Sequence, residues 1–144
     1  MVEQDTIKLL RECDAGIKMG VASIDEVLEY IKSDTLRQHL EKCRNEHVKL
    51  QDEIQVLLDE YHDDGKEPNP IAKGMSWMKT NAKVMMDDSD ATIADLIVDG
   101  CNMGIKTLCR YENQYAAADD AAMKLTDDLI RLEEKLRQDL REYL

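Results

Sequence analysis

The sequence has no phenylalanine, two prolines and six glycines among its 144 residues, and aromatic residues make up 4% of the chain. Sandwiches and barrels need frequent turns rich in glycine and proline, so this scarcity argues against an all-β protein. Leucine, alanine, glutamate, lysine and aspartate dominate instead, which is typical of long helices. We therefore predict an all-α protein forming a single domain over residues 1–144.

Positive charge is also scarce, because 19 lysine and arginine residues face 31 aspartate and glutamate residues and leave a net charge of −12. Binding to nucleic acid or to an anionic membrane surface requires a basic surface, so both partners are expected to be absent. No apolar run reaches the roughly 18 residues of a transmembrane helix. Residues 1–5 also lack the basic and apolar regions of a signal peptide.

Paired cysteine motifs are missing too. The four cysteines have no C-x-x-C spacing, and all fall within predicted helices: Cys13, Cys43, Cys101 and Cys109. We interpret them as reduced, mostly buried thiols in a cytoplasmic protein.

Apolar residues spaced alternately three and four apart predict two helical hairpins. The first hairpin (6–62) pairs a helix over 6–31 with one that follows the capping run Ser33-Asp34-Thr35 and ends near Gly65, a suitable C-cap. The second hairpin (91–143) breaks at Asp119 or Asp120; one continuous helix of about 54 residues is the alternative.

Residues 66–88 differ from both hairpins, since they carry four lysines and a short amphipathic helix with a methionine stripe. Such a segment can cross the length of a bundle, which gives an up-down-down-up four-helix bundle with one long crossover. The stripe contains Met75, Met78 and Met85, with Met86 beside it, and we interpret it as flexible core filler rather than a soft-metal site.

One pattern occurs twice in otherwise helical sequence, at 16–23 and at 100–107. Each copy has a glycine, a methionine, a second glycine, a β-branched residue and a hydroxyl, and each glycine costs a helix roughly 0.8–1 kcal/mol relative to alanine. We interpret the four glycines as points of close helix packing, within the bundle or across a dimer axis. The predicted packing and interface residues are Gly16, Gly20, Gly100, Gly104 and Trp77.

From Thr6 to Leu140 the chain resembles the ferritin-like superfamily, and within it a bacterial branch of small domains of unknown function. The resemblance lies in a few short stretches: Asp14-Ala15-Gly16, Asn45-Glu46-His47 through Leu50, Gly65-Lys66-Glu67-Pro68, Trp77, Asp99-Gly100 and Tyr111. It implies a ferritin-like bundle and says little about activity.

Ferritin-like di-iron proteins use two glutamates and two Glu-x-x-His motifs. The residues three positions before His39, His47 and His62 are leucine, arginine and aspartate, so the motif is absent. Asp14 and His47 replace expected leucines about one turn apart, with Cys43 nearby. We interpret Asp14 and His47 as a buried polar pair that fixes helix register. A weak metal site on Asp14, His47 and Cys43, or exposure of one residue, are the alternatives.

The sequence thus predicts a non-enzymatic, cytoplasmic interaction or structural module without a cofactor, forming a homodimer. The alternative is a degenerate metal-binding or redox protein, related to stress, with iron, manganese or zinc near Asp14 and His47.

Overall fold

The computed structural model describes residues 2–66 and 89–144. Within these ranges the protein consists of four α-helices without a strand, as the all-α prediction expected. The helices are α1 (Val2–Leu28), α2 (Asp34–Glu60), α3 (Asp90–Gln114) and α4 (Asp120–Asp139), followed by a 3-10 turn, Arg141–Tyr143. None of these helices has an apolar stretch long enough to cross a bilayer.

Each turn between paired helices begins the next helix with a polar cap. Ser33 Oγ accepts the Leu36 amide at the start of α2, and Asp119 accepts the Ala122 amide at the start of α4. The break predicted at Asp119 is therefore confirmed, and the alternative of a continuous helix is wrong. The physical reason is that the Asp119 carboxylate satisfies a first-turn amide that a continuous helix would bond internally.

Both ends of α1 differ from the predictions. α1 begins at Val2 rather than residue 6, with acids Glu3 and Asp5 in the first turn, where the helix dipole favours them. It also ends at Leu28, because amides of Tyr30 and Ile31 bond to carbonyls three residues back and tighten the chain into a turn.

The C-cap predicted at Gly65 is wrong, since α2 ends five residues earlier. His62 takes the left-handed conformation at φ 57°, and its amide bonds to Asp59 O while the Asp63 amide bonds to Leu58 O. This is the Schellman arrangement that commonly closes a helix, with histidine where glycine is usual. Gly65, at φ 88°, lies in the irregular segment that follows the helix end.

The apolar core has two clusters at the two ends of the bundle. One joins the first half of α1 to the second half of α2, the last turns of α3 and the first half of α4. The other joins the opposite halves of the same helices. α1 and α2 are therefore antiparallel, α2 and α3 point the same way, and α4 runs parallel to α1. The predicted crossover helix lies outside the described residues.

The two hairpins hold each other's turns. Asp90, in the first turn of α3, accepts the amides of Lys32 and Ser33, each at 2.8 Å. At the other end, Thr6 of α1 accepts the Asp119 amide at 2.8 Å. Thr6 precedes Gly16, and Asp90 precedes Gly100, by the same ten residues. The repeated pattern in the sequence therefore corresponds to equivalent positions in the two halves of the structure.

Candidate functional site

A polar layer separates the two apolar clusters. It contains one residue from each helix: Gly20, His47, Gly104 and Glu133. The ring of His47 lies against Gly20, where a Cβ would sit 3.6 Å from ring atoms Cδ2 and Nε2. The carboxylate of Glu133 lies against Gly104, where a Cβ would sit 3.7 Å from Oε2. The second glycine of each repeat therefore faces one member of a buried polar pair.

His47 uses both ring nitrogens inside the bundle. Its Nε2 donates to Glu133 Oε1 at 2.7 Å, and its Nδ1 donates to the carbonyl of Cys43 at 2.8 Å. The Cys43 thiol lies 3.4 Å from Nδ1. The histidine is 1% exposed and the glutamate 15% exposed, so solvent screens the pair little.

The protonation of His47 follows from these contacts. Burial alone would lower its pKa, but the hydrogen bonds to Cys43 and Glu133 and the charge of Glu133 outweigh burial and raise the pKa of His47 to about 10. His47 and Glu133 therefore form an imidazolium–carboxylate pair at neutral pH.

The first glycine of each repeat does not pack closely within the described part of the bundle, and close packing across a dimer axis stays a prediction. No described atom comes within 4 Å of a Cβ built on Gly16 or Gly100, and both glycines are exposed. At Gly20 and Gly104 the neighbours are side chains, His47 and Glu133, rather than another backbone. The physical reason is that the glycines remove side chains where α1 and α3 meet, which leaves space instead of a tight seam.

That space is a groove of about 270 Å³ between α1 and α3. Its walls carry all four repeat glycines, with apolar residues of both helices between them, and His47 and Glu133 form part of its floor. Ligand sites in proteins are concave, largely apolar and contain a few convergent polar groups, often with a shifted pKa. The groove has each of these properties.

Asp14 belongs to a different network from His47, so the predicted polar pair is not a contact. The Asp14 carboxylate accepts Lys18 Nζ at 2.8 Å and the Lys66 amide at 3.0 Å, while its Oδ1 has no hydrogen-bond partner among the described residues. A Cβ on Gly65 would overlap Asp14 Oδ2. Asp14 therefore anchors the chain that leaves α2, and glycine at position 65 leaves room for its carboxylate.

Two further ion pairs tether the same chain segment to α1. Arg11 Nη1 lies 3.0 Å from both carboxylate oxygens of Asp63, and Lys66 Nζ lies 2.5 Å from Glu12 Oε1. Together with Asp14, these contacts hold residues 63–66 along the first half of α1.

The cysteines are free thiols, three of them buried and Cys109 exposed. Cys13 lies 3.2 Å from Thr126 Oγ1, and burial raises the pKa of its thiol to about 12. Burial, with the charge of Glu133, also raises the pKa of Cys101 well above its ordinary value. Such thiols carry almost no thiolate at neutral pH and are poor nucleophiles.

The weak metal candidates are not brought together as a site. Cys43 contacts His47, but Asp14 is engaged elsewhere, and the described residues contain no group of three or more His, Cys, Asp or Glu side chains placed to hold a metal ion. Of the other histidines, His39 pairs with Asp139 at 3.6 Å and His62 closes α2. Trp77 and the methionines of the stripe lie outside the described residues.

Sequence reasoning missed Glu133, since the leucines of the last helix are typical of a continuous apolar seam. A second series in the same helix alternates four and three apart and marks the inward face: Ala122, Thr126, Leu129, Glu133, Leu136 and Leu140. Thr126 and Glu133 interrupt that series with polar groups, and this interruption was the sequence signal that could have identified Glu133.

No protein-family model, curated protein or solved structure matches the chain.

Proposed function

We propose that this protein is a ferritin-like helical bundle that acts as a non-enzymatic binding module, and that the groove between α1 and α3 is its binding surface. The observation that carries the proposal is the placement of all four repeat glycines in the walls of one groove, above the His47–Glu133 pair. Four helical glycines cost about 3–4 kcal/mol in helix propensity. A ligand-binding groove that needs the space left by these glycines would explain why the helices tolerate this cost.

The polar floor supports binding rather than catalysis. Both nitrogens of His47 are engaged, and the buried thiols of Cys13 and Cys101 have raised pKa values. His47 therefore lacks the free lone pair of a general base, and these two cysteines lack the thiolate of a nucleophile. These groups fix the shape and charge of the groove instead.

The ferritin-like assignment belongs to this proposal together with the crossover and the cytoplasmic location. Helix directions, with α2 and α3 parallel, agree with a bundle that has one long connection. Free cysteines agree with a reducing compartment.

The homodimer is part of the proposal as well, and light scattering tests it. Trp77→Ala is expected to halve the molar mass toward the 16.5 kDa of one chain.

A neutral apolar probe tests the groove. We expect tryptophol to shift the backbone amide signals of the four repeat glycines in ¹⁵N-resolved NMR. The double variant Gly16→Leu/Gly100→Leu should lose binding, because each leucine enters space that no described atom occupies. Gly16→Ala/Gly100→Ala is the matched control, since it gains the same helix propensity, about 2 kcal/mol in total, but leaves the groove largely open.

Elemental analysis tests the alternative of a metal or redox protein. Protein purified without chelators is expected to contain no stoichiometric iron, manganese or zinc. Stoichiometric metal that disappears in His47→Ala, or tryptophol binding that survives both leucines, would overturn the proposal.

A further inference from the structure

We infer that the groove selects a small organic cation, an apolar body carrying a protonated amine, over neutral or anionic molecules of the same shape. The inference rests on the proposed function, because it names the ligand class of the same groove. It follows from three observations: the charges around the groove, the hydrogen bonds that already engage both N–H groups of His47, and the volume of the groove.

The charged residues that line the groove are almost all acidic. Among the described lining residues they are Glu12, Asp99 and Glu133, against the single base His47. Glu12 is neutralised by Lys66, and Glu133 is shared with His47. Asp99, exposed at the mouth, has no described cation beside it. Among the described lining residues, Asp99 is therefore the one carboxylate left without a cation beside it, and it favours a cationic ligand.

Among the described residues of the floor, His47 offers no free donor to an anion. Both N–H groups of His47 are already directed at Glu133 Oε1 and at the Cys43 carbonyl. A carboxylate ligand that took the Nε2 donor of His47 would leave the buried charge of Glu133 unpaired, which is strongly unfavourable. The Glu133 carboxylate, by contrast, has lone pairs beyond the one that His47 uses.

The shape of the groove places the two parts of the ligand. Its apolar walls, among them Met19, Ile97 and Leu108, can cover the apolar body. An ammonium group is costly to bury, so it is expected to remain at the mouth beside Asp99, with part of its water shell. A volume of about 270 Å³ lies just below the range of roughly 300–1,000 Å³ for ligand pockets, so the ligand is small.

Three indole compounds of similar shape test the inference: tryptamine as the cation, tryptophol as the neutral compound and indole-3-propionate as the anion. Their dissociation constants are measured by titrating the amide signals of Gly16, Gly20, Gly100 and Gly104. We expect tryptamine to bind about tenfold or more tighter than indole-3-propionate, because like-charge contacts at an interface are costly. Tryptophol should lie between them.

Charge reversal at the mouth gives a second readout. Asp99→Lys should weaken tryptamine and strengthen indole-3-propionate, each by about threefold, the size expected for an exposed ion pair. Asp52→Lys is the matched control: it makes the same charge change at an exposed position of α2 that does not line the groove, and it should leave the ratio unchanged.

The two failures are distinguishable. If the glycine signals shift equally with all three compounds, or most tightly with the anion, the groove binds ligands but the cation preference is wrong. If none of the compounds shifts the glycine signals, the proposed binding function is overturned together with the preference. An Asp52→Lys effect as large as that of Asp99→Lys would assign the preference to the net charge of the whole protein and also contradict the inference.

Discussion

At the scale of single residues, the central polar layer determines how the bundle responds to pH. His47 and Glu133 occupy inward positions where an ordinary four-helix core would have apolar side chains. Replacing one member of such a buried pair leaves a desolvated charge and typically costs about 3–5 kcal/mol. Glycines on the two other helices leave room for both side chains.

The stability of the protein is expected to fall as the pH rises above 6.5. The pKa of His47 is about 10 in the folded chain, against an ordinary histidine value of 6.5 in the unfolded chain, so the folded protein binds the proton more tightly. The stabilisation is complete below pH 6.5 and is lost as pH rises toward 10, with a slope approaching about 1.4 kcal/mol per pH unit. Urea unfolding at a series of pH values measures it.

Glu133→Gln should flatten part of this curve, because it removes a charge and a charged hydrogen-bond partner that raise the pKa of His47, whereas the contact with Cys43 remains. The imidazole signals in NMR should then titrate clearly below pH 10. Glu112 provides an internal comparison, since burial and the neighbouring Asp127 raise its pKa from 4.5 to about 7. The raised pKa of Glu112 makes stability fall as the pH rises from 4.5 to 7, so Glu112→Gln should remove that slope and leave the slope above pH 7 unchanged. A His47 signal in Glu133→Gln that still titrates near 10 would contradict the assignment.

His47 could be identified from the sequence and Glu133 could not, because their sequence neighbours differ. His47 stands out because an imidazole replaces a leucine in an otherwise regular series. Glu133 has other acids nearby in sequence and resembles an ordinary solvated helix residue, so only its partner on α2, 86 positions away, reveals it. The pairing of Asp14 with His47 was wrong for a related reason: the chain at 63–66 returns along α1, and its Lys66 amide, together with Lys18 of α1, occupies Asp14.

At the scale of elements, helix ends were predicted well where a side chain caps the backbone. Ser33 and Asp119 are short polar residues followed by apolar series, and both cap as expected. The end of α2 was misplaced because glycine is the usual signal for a left-handed residue, whereas here His62 adopts that conformation. Gly65 is required by the Asp14 carboxylate, a tertiary contact that local sequence does not show.

Replacing these two left-handed residues should change stability in opposite directions. His62→Gly removes the strain of a side chain at φ 57° and is expected to stabilise the protein by about 1 kcal/mol. Gly65→Ala introduces strain at φ 88° and overlap with Asp14, and is expected to destabilise it by about 2 kcal/mol. Urea unfolding of both variants, with His62→Ala as a neutral control for loss of the imidazole, measures the two effects. If His62→Gly and Gly65→Ala changed the free energy of unfolding in the same direction, this account would be contradicted.

At the scale of the whole molecule, the two hairpins are equivalent in more than sequence. In each repeat the first glycine lies at an open groove wall and the second glycine lies against a polar side chain. The residue ten positions before the first glycine, Thr6 or Asp90, accepts a backbone amide from the turn of the opposite hairpin. The sequence repeat predicted two related halves correctly. It could not show that the halves meet across a groove, because glycine at a helix face permits either close packing or open space, and only the neighbouring side chains decide.

The mutual clamping of the turns predicts additive effects from opposite ends of the bundle. Asp90→Ala removes the acceptor for the Lys32 and Ser33 amides, and Thr6→Val removes the acceptor for the Asp119 amide. We expect losses of about 2 and about 1 kcal/mol, since hydrogen bonds to charged acceptors are the stronger ones.

The two sites are about 30 Å apart by helix rise, so the double variant should lose the sum within about 0.5 kcal/mol. Asp120→Ala is the control: it removes an acid from the first turn of α4 without removing a contact between hairpins, and should cost under about 1 kcal/mol. Urea unfolding followed by circular dichroism measures all four variants. If Asp120→Ala lost as much stability as Asp90→Ala, the loss would come from the helix dipole rather than from the hydrogen bonds between the turns. That result would contradict the proposal that these bonds join the two hairpins into one cooperative unit.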